Sequence, residues 1–210
     1  YTAYCSGNAV CTPLVVKVPC RDPKTNADIE ADASIFLPHD WLACLSRGYP
    51  VAFQSLFGAD PDRLRRFWAT QSHRNPKFWH HPILNMDYRA SCIPVAIHGD
   101  GAEFQDRDSL TTLSMKGILL EASGHEDSHL LLASWPKTCT IESTWPTIWK
   151  WLSWSFQALL ANTHPHNDPW GRPFRPELAG TEIMPGGFTC VLRAFCGDLE
   201  FFSSRLGMPW

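Results

Sequence analysis

Two aspartates, Asp100 and Asp198, are the residues of this sequence best suited to carry chemistry. Each follows a glycine at the end of an apolar run, residues 93–98 in one case and residues 188–195 in the other. Two neighbouring carboxylates repel each other, and a divalent cation that prefers oxygen ligands, Mg²⁺ or Mn²⁺, relieves the repulsion. Metal held in this way activates a nucleophile and stabilises the leaving oxygen in phosphodiester cleavage. If the fold brings the aspartates together, the pattern predicts phosphoryl transfer on nucleic acid.

Each aspartate also has a purely structural interpretation. Asp100-Gly101 is a favoured pair for the tight turn of a β-hairpin. Asp198 is equally suited to cap a following helix, with Glu200 in the first turn. Capping and metal binding do not exclude each other at Asp198. On the structural interpretation the chain is a non-catalytic α/β interaction module, and the local residues alone leave both interpretations open.

The segments from residue 93 onward must position these aspartates. Three strand-like runs predict an antiparallel meander, and they occupy residues 93–98, 109–116 and 129–134. A long amphipathic helix capped by Thr144 follows, then a polar, proline-rich connection at residues 162–187, a fourth strand at 188–195 and a helix that opens at Asp198. This order predicts an α/β fold with a ribonuclease H-like mixed sheet flanked by helices. In such a core the first and fourth strands are neighbours, so the two aspartates would approach each other.

The residues before this core divide into two regions. Residues 36–90 form a helical N-terminal region, in which Asp40 caps one helix that Gly48 ends, and Asp60 with Pro61 begins another. Residues 1–35 are poorly specified, with one strand-like run at 13–18 and a loop at 21–32. The core itself spans residues 91–210. Because the sequence begins without methionine and stops at Trp210 directly after an apparent helix, we expect a fragment with a core truncated at its C-terminus.

Several segments together resemble a known family. They are IPVAIHGDG at residues 93–101, TIWKWLSWSF at 147–156, FCGDLE at 195–200 and, upstream, LPHDW at 37–41. This order is similar to that of multicopy, transposase-derived protist proteins, which look distantly related to the Kyakuja-Dileera-Zisupton and Plavaka-like DDE transposases. The resemblance covers residues 36–210 and implies a ribonuclease H-like core with an acidic triad that binds Mg²⁺ or Mn²⁺.

Carried onto this sequence, the resemblance assigns the first two acidic positions to Asp100 and Asp198. The third has no counterpart here and is expected beyond Trp210. The resemblance therefore implies DNA strand cleavage or transfer by the intact parent and an incomplete site in this chain.

A cluster of basic residues is a candidate surface for DNA. Arg63, Arg65, Arg66, Arg74 and Lys77 lie on or near the second predicted helix, with tryptophan and phenylalanine among them. Lysine and arginine attract phosphates, and aromatic rings stack on bases. A solvated helix face explains the same charges without a ligand.

Composition limits the class of protein. A hydrophobic share of 44%, 19% charged residues and ten tryptophans indicate a globular chain, and a net charge of -3 gives no global attraction to nucleic acid. The eight cysteines form no C-x-x-C pair, and no apolar run reaches the roughly 20 residues that span a bilayer. We therefore expect no membrane partner and an intracellular location, nuclear or cytoplasmic. Tryptophans widen the apolar arc of the helix at 145–160, which predicts self-association through that helix.

Overall fold

The first element of the fold is a β-hairpin. The computed structural model describes residues 11–71, 88–105, 108–120, 128–198 and 201–207. In the hairpin β1 (Leu14–Arg21) pairs antiparallel with β2 (Asp28–Ile35). The predicted strand at 13–18 is confirmed, but the predicted loop at 21–32 is wrong because its last five residues belong to β2. Ala31 and Ala33 occupy alternate inward positions of β2. Alanine is only weakly apolar, so its alternation with polar residues is a weak signal of a β-strand.

Three short helices follow, α1 (Pro38–Gly48), α2 (Pro50–Phe57) and α3 (Pro61–Gln71). Each begins with proline, whose missing N–H costs nothing at the first helical position. Asp60 caps α3 as predicted, since its Oδ1 accepts a hydrogen bond from the Arg63 backbone N–H at 2.8 Å.

The start of α1 and the existence of α2 differ from the sequence-based expectation. Leu37 occupies the N-cap of α1, so Asp40 lies in the first turn and is not the cap. Gly48 and Pro50 were expected only to end a helix, yet Pro50 also begins α2. A proline that stops one helix is equally compatible with the first residue of the next.

The main sheet has four strands, β3 (Cys92–Gln105), β4 (Asp108–Gly117), β5 (Leu130–Pro136) and β6 (Thr189–Gly197). Their order across the sheet is β5-β4-β3-β6. The first three strands form the predicted antiparallel meander, whereas β6 runs parallel to β3. The expectation of a mixed α/β fold with a mixed sheet flanked by helices is therefore confirmed.

The long helix α4 (Thr144–Ala161) connects β5 to β6 and packs against β6, α1 and β1. Thr144 is its first residue and not its cap: the Thr144 hydroxyl donates to the Pro19 carbonyl oxygen at 2.7 Å. Fully or nearly fully buried apolar side chains form one core between the helix and the sheet, among them Ile148, Leu152, Leu159, Ile93, Val95, Ile97, Leu113 and Met115. Each contributes about 1.5–3 kcal/mol by burial. Within the described ranges, no helix combines the length and the apolar character needed to cross a membrane.

The N-terminal hairpin shares this core. Val18 of β1 and Ile35 of β2 are fully buried in the same cluster as the strands of the main sheet. The backbone N–H of Phe36 donates to the Leu132 carbonyl oxygen at 2.7 Å, which fixes the end of β2 beside β5.

The connection at residues 162–187 covers two of the four tryptophans of α4, Trp151 and Trp154. Trp151 is only 6% exposed, and its ring lies 5.2 Å from that of Trp170. The Trp154 indole N–H donates to the Asn167 carbonyl oxygen at 3.0 Å, and its ring packs edge-on against Phe174. Residues 162–187 thus cover Trp151 and Trp154, the two tryptophans that widen the apolar arc of α4.

Buried polar groups hold this connection against α1 and α4. Asp40 of α1 forms an ion pair with Arg175 of the connection at 2.6 Å. The fully buried His39 contacts Ser155 of α4 twice: its backbone N–H donates to the Ser155 Oγ at 3.0 Å, and its Nδ1 lies 2.8 Å from the same oxygen. These two contacts hold the imidazole of His39 against α4.

His39 is held in its neutral form. Burial lowers the pKa of His39 from 6.5 to about 4, although the negative charge of Asp40 pulls the pKa upward. Protonated His164 and Arg175 would add repulsion. The Nε2 atom lies 3.5 Å from the Asp40 Oδ1, which is too long for a strong hydrogen bond, and charge on the imidazole would be poorly compensated.

We predict that acidification destabilises the protein through His39. The unfolded chain binds a proton with a pKa near 6.5 and the folded chain near 4, so stability is lost as pH falls between these values. At pH 5 the loss relative to neutral pH amounts to about 2 kcal/mol. Urea unfolding of the wild type and of His39→Gln at pH 7.5 and 5.0 measures it, with the exposed His166→Gln as control. An equal pH dependence in wild type and His39→Gln would contradict the prediction.

Candidate active site

The parallel pairing of β3 with β6 determines where the two aspartates lie. Gly99 of β3 is in register with Gly197 of β6, and Asp100 and Asp198 come next on the two strands. Neighbouring strands lie about 4.8 Å apart. Both aspartates are exposed and line one cleft, although their positions are far apart in the sequence.

The glycine before each aspartate allows one aromatic ring to pack over the strand ends. The Phe201 side chain is 3% exposed. A Cβ atom placed on Gly99 would lie 2.1 Å from this ring, and one placed on Gly197 would lie 2.6 Å from it and 2.7 Å from the Gly99 carbonyl oxygen. Any other residue at either position would displace the ring, so the glycines serve close packing.

Asp198 has the predicted capping role. Its Oδ1 accepts a hydrogen bond from the backbone N–H of Phe201 at 2.7 Å. The structure beyond it is a single short π-helical turn, Phe201–Arg205. Residue 199 and Glu200, which was predicted to lie in the first turn of this helix, are outside the described residues. One carboxylate oxygen is thus held by the backbone, which fixes the orientation of the other.

Asp100 does not have the predicted turn role. It lies within β3 and pairs with Thr112 of β4, and the pairing continues to Gln105 and Asp108. The hairpin-turn interpretation of Asp100-Gly101 is therefore wrong, because the strand pairing with β4 overrides the local preference of this dipeptide for a turn. His98, two residues earlier, packs edge-on against His129 with ring centroids 5.3 Å apart.

Two basic side chains line the same cleft, and sequence analysis did not identify either. Lys137 belongs to a 3₁₀ turn that follows β5, and Arg205 ends the π-helical turn. The cleft has a free volume of about 40 Å³, and its remaining lining residues are Gly101, Ser109, Thr111 and Phe201. The cleft therefore combines two carboxylates with two cations. No local sequence motif predicts this combination of charges.

Arg205 is positioned by three contacts. Its guanidinium donates to the Thr111 hydroxyl at 3.3 Å and lies 5.3 Å from the Trp145 ring centroid, within cation–π range. Its carbonyl oxygen accepts a hydrogen bond from the Trp149 indole N–H at 3.1 Å. Both tryptophans belong to α4, so the long helix places this arginine at the cleft.

No protein-family model, curated protein or solved structure matches this chain. What the site can do must therefore be argued from its own geometry.

Two carboxylates are a minimal but suitable donor set for Mg²⁺ or Mn²⁺. Mg²⁺ is usually held by one or two carboxylates, with water and substrate phosphates completing six oxygen ligands. Asp100 and the Oδ2 atom of Asp198 would be the protein's ligands. Among the described residues no group of three or more His, Cys, Asp or Glu side chains is arranged to hold a metal ion.

The predicted DNA surface on α3 lies away from this cleft. Trp68 of α3 donates a hydrogen bond to the Cys92 carbonyl oxygen at the start of β3, and Asp100 is about 26 Å further along the strand at 3.3 Å per residue. Arg63 donates to the Leu120 carbonyl oxygen, Arg65 pairs with Asp62 and Arg66 is exposed. Arg74 and Lys77 lie outside the described residues.

We predict that a methyl group at Gly99 destabilises the fold by about 1–3 kcal/mol, because the Phe201 ring must move. Gly197→Ala should behave in the same way. Gly101→Ala is the matched control, since no atom lies within 4 Å of its added Cβ. Urea unfolding measures all three variants.

A double-variant experiment tests whether the Phe201 ring causes this loss of stability. In a Phe201→Ala background the cost of Gly99→Ala should fall, because the clashing ring is gone. Equal costs for Gly99→Ala and Gly101→Ala would contradict the packing role.

Proposed function

We propose that this chain contains a ribonuclease H-like core in which Asp100 and Asp198 hold Mg²⁺ or Mn²⁺ for DNA strand cleavage or transfer. The observation that carries the proposal is the parallel register of β3 and β6, which brings two exposed carboxylates from distant positions into one cleft. Two aspartates with unrelated structural roles would not need to share a cleft.

The strand order supports this proposal. Numbered from β3, the sheet runs third, second, first, fourth, with three antiparallel strands and a parallel fourth reached through a long helix. A ribonuclease H-like core would have its first and fourth strands as neighbours, as β3 and β6 are here. The proposal would assign the first acidic position to Asp100 on β3 and the second to Asp198, directly after β6.

Each residue has a defined part in the proposed chemistry. Asp100, within a paired strand, offers an exposed carboxylate whose position the sheet fixes. Asp198 is oriented by its hydrogen bond from Phe201, so that little side-chain freedom is lost when a ligand binds. When bound, the metal would neutralise charge on the phosphate and lower the pKa of an attacking water.

The arginines of α3 remain a proposal for a second DNA contact, remote from the cleft. A variant with Arg65→Gln and Arg66→Gln should bind all DNA sequences more weakly, since phosphate contacts carry no sequence information. Fluorescence anisotropy with labelled duplexes measures this, and an unchanged affinity at low salt would remove α3 from the DNA surface.

The metal site is tested by calorimetry with Mn²⁺ and Mg²⁺. We expect Asp100→Asn and Asp198→Asn each to weaken binding by about tenfold or more, equal to about 1.4 kcal/mol, because each removes a charged ligand. Asparagine at position 198 still offers an oxygen to the Phe201 N–H, so this variant separates the ligand role from the cap. Asp32→Asn, an exposed aspartate of β2 paired with Lys17, is the control.

Absence of binding by the folded wild type, verified by circular dichroism, would overturn the metal proposal. The alternative of a non-catalytic interaction module would then gain support, with Asp198 serving only as a cap. Binding that both cleft variants retain would place the metal elsewhere and have the same consequence for Asp100 and Asp198.

A further inference from the structure

Residues 163–182, here called the covering loop, form a unit whose two ends meet. Thr163 and Glu182 pair as an antiparallel bridge at its base. Just outside this bridge, the Asn162 side chain accepts a hydrogen bond from the Met184 backbone N–H at 2.8 Å and donates one to the Met184 carbonyl oxygen at 3.0 Å. Like an Ω-loop, a loop with ends this close can separate from the surface beneath it without moving the elements that it connects.

The tip of the covering loop is held together by contacts of its own. Asp168 accepts hydrogen bonds from the backbone N–H groups of Trp170 and Arg172, and it forms an ion pair with the Arg172 guanidinium at 2.9 Å. The backbone N–H of Phe174 donates to the His166 carbonyl oxygen at 3.0 Å. All of these contacts lie within the loop, so separation of the loop from the protein does not break them.

Charged and titratable side chains hold the covering loop on α1. Asp40 pairs with Arg175 of the loop at 2.6 Å, and Arg47 donates hydrogen bonds to two carbonyl oxygens at the base of the loop. His39 of α1 faces His164 of the loop, with both side chains buried and the ring centroids 5.7 Å apart. The charged groups that act on this pair are Asp40, Arg47 and Arg175. Protonation of both histidines would therefore set four positive charges against one carboxylate.

Among the described residues, the other side chains beside the histidine pair add no negative charge. From α4, Ser155 bonds to His39, and the Trp154 ring packs edge-on against the imidazole at 5.3 Å. Burial raises the pKa of the Cys11 thiol, which is near Asp40, so this thiol stays neutral. Positive charge on the histidines thus has one carboxylate to compensate it, and that carboxylate already pairs with an arginine.

We infer that the covering loop is a pH-sensitive lid: protonation of His39 and His164 releases residues 163–182 from α1 and α4 while the sheet and the core stay folded. Opening uncovers Trp151 and Trp154, which lie beneath the loop. The lid goes beyond the proposed function and does not depend on it, because none of the residues that line the aspartate cleft belongs to the loop.

The direction of the response follows from proton linkage. Burial lowers the pKa of His39 from 6.5 to about 4, and burial also lowers the pKa of His164. A histidine with a lowered pKa in the closed state stabilises that state above pH 6.5, and this contribution is lost as pH falls towards 4. When opening restores the ordinary pKa of His39, the ratio of open to closed molecules rises about 30-fold between pH 7.5 and 5.

Fluorine NMR of the protein labelled with 5-fluorotryptophan tests the inference. The signals of Trp154 and Trp170, assigned with Trp154→Phe and Trp170→Phe, report on the contact between the loop and α4. Trp68, which donates to the Cys92 carbonyl oxygen in the core, reports on the fold. Relaxation dispersion and saturation transfer measure the ratio of open to closed molecules from pH 7.5 to 5. We expect it to rise about 30-fold at Trp154 and Trp170 while Trp68 keeps its native signal.

Variants of the histidines identify the cause of the response. His39→Gln and His164→Gln should each reduce the pH dependence, since each removes one titrating group from the contact with α1. His166→Gln is the matched control, because this histidine lies in the same loop and is exposed.

Three outcomes would overturn the inference. The first is a pH response that neither His39→Gln nor His164→Gln reduces. The other two need only the wild type: signals of Trp154 and Trp170 that do not change with pH, or a native Trp68 signal that is lost together with them, which would indicate global unfolding.

Discussion

The site depends on the parallel pairing of β3 with β6, and the packing at the end of that pairing depends on the absence of two side chains. Phe201 packs over the strand ends only because Gly99 and Gly197 have no Cβ atom. Its buried ring therefore covers the end of the core, directly before the two exposed aspartates. The aspartates follow immediately. Gly99 and Gly197, one position before the aspartates, face this ring. Asp100 and Asp198 are exposed, so a ligand can reach them.

The long helix α4 connects the core to the cleft. It is the crossover that makes β6 parallel to β3, and the same helix supplies Trp145 and Trp149, which position Arg205. Its opposite flank carries Trp151 and Trp154, which residues 162–187 cover and which Arg175 and Asp40 help to hold in place. A single helix therefore fixes the topology, one wall of the cleft and the packing of the longest irregular segment.

Sequence patterns predicted the parts of this fold that are determined by local apolar periodicity. The meander, α4 and the fourth strand follow from such runs, and the Asp60 cap follows from its Asp-Pro pair. Strand β2 was missed because alanines fill two of its inward positions, and the turn at Asp100 was wrongly predicted because pairing with Thr112 outweighs a dipeptide preference. Lys137 and Arg205 could not be predicted, since only tertiary packing brings a 3₁₀ turn and a π-helical turn to one cleft.

The two glycine-aspartate pairs look alike in sequence but have different physical causes. At position 198 the carboxylate ends a strand and starts a turn, so the N–H of Phe201 orients it whether or not a ligand is present. At position 100 no turn explains the residue, because the chain continues as a paired strand and an exposed aspartate contributes little to a β-strand. Local structure thus accounts for Asp198 and leaves Asp100 unexplained, which makes Asp100 the residue on which the functional interpretation of the cleft depends.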